Sequence, residues 1–131
     1  MKYDQMWEWY PMPRIKVFTN HKKARKWAKK YTGIEPRWIG KNAQTDYFSE
    51  ELHAESLAVI TIDGRIKNTK QRIAILAHEC SHVVDEWLND MGEDSAGTEI
   101  RAYAIQSAMM ACMEQLGEEW LTPQAKKNSE K

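Results

Sequence analysis

Apolar positions along the 131-residue chain follow two periods, and each predicts a different kind of element. Between residues 68 and 90, Ile73, Leu76, Ala77, Cys80, Val83, Val84, Trp87 and Leu88 recur at steps of three and four, which marks one stripe of an amphipathic helix. Asn68 is placed to cap its first turn with Gln71 bonding back, Thr69 is a neighbouring alternative cap, and no Gly or Pro interrupts before Gly92. A second helix is predicted over 98–116, where Ile100, Tyr103, Ala104, Ile105, Ala108, Met109, Cys112, Met113 and Leu116 leave little polar surface and imply extensive burial. A third, shorter one opens after the cap Asn20, runs to about Tyr31 and stops at Gly33; Ala24, Trp27, Ala28 and Tyr31 make its contacts, and lysines and arginines fill the rest.

The alternating period appears in shorter runs. Residues 15–18, 44–48 and 57–62 read as strands, the last rich in β-branched side chains, and Trp38-Ile39 reads as a further short strand. Asp63-Gly64 marks a turn, after which Arg65-Ile66 is expected to continue the sheet edge. The fold class is therefore α+β, a small mixed or antiparallel sheet followed by two helices. Residues 1–13, with Trp7, Trp9, Tyr10, Pro11 and Pro13, form an irregular aromatic arm expected to wrap the domain; 14–117 make the folded domain; 118–131 lose apolar periodicity and are expected to be a flexible tail.

Length allows one domain with a modest core. Lys and Arg balance Asp and Glu, so the total charge gives no reason to expect a nucleic-acid partner. The balance conceals polarity: residues 1–45 carry 11 Lys or Arg against 3 Asp or Glu, the remainder 8 against 16. The basic face of the first helix is read as its solvated side. The two cysteines, Cys80 and Cys112, occupy apolar helical positions and read as reduced small hydrophobes, although two facing helices can bring them together. Reduced thiols and the lack of a leader or a long apolar run point to a cytoplasmic protein outside the membrane.

Chemistry concentrates in the run His78, Glu79, Cys80, Ser81, His82. On a helix the two histidines lie one turn apart on one face with a carboxylate beside them, the arrangement that holds Zn2+ and polarises a water. The apolar stripe centres near Cys80 and Val84, so the imidazoles fall on the other side and do not read as core histidines; Ile75 beside them argues for a cleft rather than open water. A zinc site needs a third protein ligand, and Glu99, in the first turn of the buried 98–116 helix, is the leading candidate; the alternative is a first-turn charge favoured by the helix dipole. Asp85 is a rival ligand or a group that orients a histidine. Tyr103, one turn after Glu99, is the candidate oxyanion donor, preferred to His53, with packing between helices as its alternative role. Asp90, Glu93 and Asp94 lack the spacing of a calcium loop.

These residues resemble the zincin metallopeptidases of gluzincin type, and the arrangement is similar to the small peptidase domains of phage-encoded proteins and of regulatory peptidases of the ImmA and IrrE type. The resemblance covers roughly residues 50–117. It implies a minimal zincin-like domain in which His78 and His82 are the first two zinc ligands, Glu79 the general base and Glu99 the ligand from the following helix. It also implies an edge strand above the cleft to which a peptide substrate adds, a role that falls to 57–66. No histidine or tyrosine for the oxyanion is carried over by motif. The expected activity is zinc-dependent hydrolysis of a peptide or protein substrate, endopeptidase in kind. Two other classes compete with it: a non-enzymatic interaction or regulatory protein with a structural metal or none, and a nucleic-acid-binding module using the basic helix.

Overall fold

The computed structural model describes residues 12–40, 42–49, 56–92 and 97–122. In chain order these form strand β1 (Arg14–Phe18), helix α1 (His21–Thr32), strands β2 (Ala43–Phe48) and β3 (Leu57–Ile62), and helices α2 (Thr69–Asp90), α3 (Thr98–Leu116) and α4 (Glu118–Leu121). The aromatic residues of the N-terminal arm, His53, and residues 123–131 of the expected tail lie outside the described residues.

Helix ends follow local chemistry. Asn20 Oδ1 accepts from the Lys23 N–H and Asn68 Oδ1 from the Gln71 N–H, each filling one orphan donor of a first turn. Gly33 closes α1 at φ 84°, a left-handed position that a side chain would resist, and its N–H returns to the Lys29 carbonyl. The Trp38-Ile39 strand does not form. Residues 34–40 are irregular and held by Gln44 instead, and Arg65-Ile66 leaves the sheet at the Asp63-Gly64 turn.

The sheet is mixed, in the order β1-β3-β2, with β1 parallel and β2 antiparallel to β3. The central strand, β3, is buried on both faces. Leu57 and Val59 join Phe48, Ala24 and Ala28 under α1, while Ala58, Ile60 and Ile62 join Leu76, Cys80, Val83, Val84, Ala104 and Ala108 under α2 and α3. Three layers result, with α1 on one face of the sheet and the long helices on the other. Each fully covered Val, Leu or Ile contributes about 1.5–3 kcal/mol.

This topology corrects the expectation for the substrate strand. Residues 57–62 lie in the middle of the sheet, where both sides of the backbone are already paired, so they offer no edge. The edges are β1 and β2. Gln115 of α3 covers the first: its Nε2 donates to the Ile15 carbonyl (2.6 Å) and its Oε1 accepts from the Val17 N–H (3.0 Å), as a neighbouring strand would.

The folded part extends beyond Gly117. Trp120 of α4 is 8% exposed and packs into the main core. Buried Arg72 secures it, donating from Nε to the Ile66 carbonyl (2.7 Å) and from Nη1 to the Trp120 carbonyl (2.8 Å) while its guanidinium lies over the indole ring. Cys80 and Cys112 face each other across α2 and α3 with sulfurs 3.9 Å apart, both buried free thiols. The hydrogen bond between them, and then burial, push the Cys80 thiol up. Among the described residues no helix is long and apolar enough to cross a membrane.

Candidate metal centre

The buried stripe of α2 turns Leu76, Cys80, Val83, Val84, Trp87 and Leu88 inward, and this fixes where the remaining side chains point. His78 and His82 emerge together on the exposed side, one turn apart. Their Nε2 atoms are 3.2 Å from each other and the rings meet edge-on, with centroids 4.7 Å apart. Zinc–imidazole bonds of about 2.0–2.1 Å at a tetrahedral angle require a nitrogen separation of roughly 3.3 Å, so the pair already has the bite of a zinc ion.

Glu79, between the two on the helical wheel and the stripe, is only 6% exposed. A buried carboxylate needs a donor, and β2 provides it: Thr45 Oγ1 donates to Glu79 Oε1 at 2.6 Å. One carboxylate oxygen is thus fixed, which orients the other.

Imidazoles, carboxylate and β2 together line a cleft of about 540 Å3 between α2 and the sheet edge, with Ile39, Gly40, Gln44, Asp46, Tyr47 and Glu86 completing it. Among the described residues its lining contains three carboxylates and no Lys or Arg. Asp46 sits above its ordinary value of 3.8, chiefly through burial; its bond from Gln44 opposes the shift, and the neighbouring charge of Glu79 adds to it. Tyr47 is pushed up to about 12, first by burial, and its hydroxyl lies 3.3 Å from Asp90 Oδ2.

Gln44 builds the rim. Its Oε1 accepts from the N–H groups of Ile39 and Gly40 (2.8 Å each), and its Nε2 donates to the Arg37 carbonyl (2.7 Å) and lies 3.1 Å from both Asp46 oxygens. A Cβ at Gly40 would overlap the Ala43 carbonyl, so glycine lets this segment lie close against the strand. Ile39, 73% exposed, stands at the lip.

The expected residues divide into two sets. His78, Glu79 and His82 come together in the cleft. Glu99 lies exposed in the first turn of α3, a position the helix dipole favours for a carboxylate. Among the described residues no three His, Cys, Asp or Glu side chains gather into a metal-binding group, so Glu99 is not drawn in beside the two histidines here. Tyr103 is half-buried against the main core and is not among the residues lining the cleft. Asp85 faces α3 and takes Arg101 Nη1 at 2.7 Å.

Gln44, Thr45, Asp46 and Glu86 are the cleft residues that sequence reasoning missed. The signal for Glu86 was present: it follows His82 by four residues and so shares the histidine face. No local signal marks the residues of β2, because their role depends on which strand lies at the edge. No protein-family model matches the chain, and no curated protein or solved structure shows significant similarity to it.

Proposed function

We propose that this protein is a zinc-dependent peptidase whose site is the cleft between α2 and β2. One observation carries the reading: two imidazole nitrogens at the separation of zinc ligands, 3.2 Å, share a cleft with a buried, oriented carboxylate. His78 and His82 hold the ion. Glu99 is proposed as the third ligand; the Arg101–Asp85 bond sets the first turns of α3 alongside the turn of α2 that follows His82, which supports it. A zinc ion bound there supplies a polarised water and a Lewis acid for a carbonyl oxygen.

The chain's own groups do the rest. Thr45 holds Glu79 Oε1, leaving Oε2 to take the proton from the attacking water and return it to the departing amine. β2 positions the substrate. The Asp63 N–H bonds the Asn42 carbonyl, and the register pairs Gln44 with Thr61 and Asp46 with Val59, so alternation turns the backbone groups of Thr45 and Tyr47 away from β3. An extended peptide pairing there passes over Glu79 and the histidines, with little demand on its own sequence.

The test combines metal content with turnover. Protein dialysed against zinc and then freed of loose metal is expected to hold one equivalent and to cleave an unfolded protein substrate. Glu79→Gln is expected to keep the metal and lose cleavage by at least about 100-fold. Glu99→Gln is expected to lose the metal, and Asp46→Asn to keep it. Absence of stoichiometric zinc in the parent protein defeats the reading.

A further inference from the structure

We infer that the face of the sheet opposite the cleft binds single-stranded nucleic acid, with phosphates on α1 and a base stacked beside Trp38. α1 carries six Lys or Arg and no acidic residue. Lys22, Arg25, Lys26, Lys29 and Lys30 line one shallow groove of about 510 Å3, and Glu35, the single carboxylate among the described residues there, makes a long, solvent-exposed pair with Lys29 (3.9 Å). Such a pair offsets little of the charge. Steps of three and four residues place successive cations about 6 Å apart along the helix, a spacing close to that of consecutive phosphates on one strand.

By themselves these lysines read as a solvated face. Two other segments change that reading. Lys22 also borders a second cavity of about 520 Å3 at the start of α1, where Trp38 comes from the α1–β2 connection and Arg65 from the turn after β3. Trp38 lies flat against His21, with centroids 4.9 Å apart and planes 10° from parallel; Arg65 is exposed but its guanidinium is held by Asp63, which also lines the cavity, at 2.9 and 3.1 Å, so Lys22 and the ring platform are what the cavity offers a ligand. The basic row therefore ends at a flat aromatic platform in a cavity of ligand size.

A cationic track leading to stacked rings is the arrangement that holds single strands without reading sequence. An acidic polypeptide would use the cations but not the platform. A lipid surface would call for large apolar groups free to insert beside the cations, and the one such side chain in the run 22–30, Trp27, is packed against Phe18 and the core under α1. Because α1 packs on Leu57 and Val59 while α2 packs on Ala58, Ile60 and Ile62, this site and the metal cleft lie on opposite faces of the sheet.

Fluorescence anisotropy of a labelled 20-nucleotide oligo-dT with the full-length protein tests the inference. Engagement of three to four phosphates gives a log–log salt slope of about −2 to −3, which is a roughly 20- to 50-fold loss of affinity between 50 and 200 mM salt. Lys26→Gln should make the slope shallower by about 0.7. Simultaneous Lys22→Glu, Lys26→Glu and Lys29→Glu, all at exposed positions, should abolish binding with the circular dichroism spectrum unchanged. Trp38→Leu should weaken binding about 5-fold or more at every salt concentration, and Trp38→Phe should restore it; His82→Ala should bind as the parent does. No salt-dependent binding at 50 mM, an unaffected charge-reversed variant, or an unaffected Trp38→Leu overturns the inference. So does tighter binding of an equal-length duplex, of poly-glutamate or of phosphatidylserine vesicles.

Discussion

Zinc should raise the thermal stability of the parent protein by an amount that can be calculated. His78 and His82 are exposed and lie within the bite of one ion in the folded chain, whereas an unfolded chain holds them at no fixed separation. Binding to the folded form alone stabilises it by about 2.7 kcal/mol at a free zinc concentration 100 times the dissociation constant, and by about 4.1 kcal/mol at 1,000 times. For a chain of 131 residues the unfolding entropy near 60 °C is roughly 0.27 kcal/mol/K, so the midpoint should rise by about 10 °C and 15 °C respectively. Zinc taken up by unfolded thiols reduces these values. Differential scanning fluorimetry of metal-stripped protein against buffered free zinc, with magnesium as the control, measures the shift. His82→Ala should erase it while leaving the metal-free midpoint nearly unchanged, since truncation of an exposed side chain alters stability by only about 0.5 kcal/mol. A rise under 2 °C at saturating zinc, or an equal rise in His82→Ala, would refute the assignment of the ion to these two imidazoles.

Three further outcomes follow from the surroundings of the site. Gln44→Ala removes the clamp on residues 37–40; it should cost about 1–2 kcal/mol in urea denaturation and speed amide exchange at Ile39 and Gly40, the N–H groups that its Oε1 accepts from. Asp46 has a raised pKa in the folded chain, so its contribution to stability is greatest below its ordinary value of 3.8 and is lost as pH rises through the folded value. Asp46→Asn should therefore stabilise the protein at pH 7 and have little effect at pH 3, as read by urea midpoints at the two values. Trp120→Ala should destabilise by about 3–5 kcal/mol, because the indole is buried in the main core and carries the guanidinium of Arg72; a change under 1 kcal/mol would show that α4 is not part of the folding unit.

The parts of this fold that were legible in the sequence are those set by neighbours along the chain. Asn20, Asn68 and Gly33 define helix ends through bonds spanning three or four residues, and the α2 stripe separates buried from exposed positions without reference to the sheet. The same stripe placed His78 and His82 outside the core. Strand order was not legible, because β1, β2 and β3 are only five or six residues long and can pair in several ways; only the assembled sheet shows β3 in the middle and Gln115 covering β1. Trp120 escaped notice because a four-residue helix is too short to display a period.

These two kinds of information meet at Glu79. Its place between the histidines comes from the helix alone, and its burial comes from the sheet, since a carboxylate turned toward the core side of α2 would be costly unless another element met it. Thr45 meets it, and Thr45 sits on β2 because β3 is the central strand and β2 is left as an outer strand of the sheet. One arrangement thus satisfies the buried charge and sets the outward backbone of the same strand beside the histidines. The topology that places β3 in the middle of the sheet brings β2 to the cleft, and in the proposed mechanism the strand pairing with a peptide falls to residues 43–48 instead of 57–66. In the proposed mechanism the general base and the strand that would align a substrate are joined through the Thr45 hydroxyl, which reaches Glu79 Oε1 at 2.6 Å and the Glu79 carbonyl at 3.3 Å, so Thr45→Val should impair cleavage without altering zinc content, as measured by turnover and metal analysis of the same preparation.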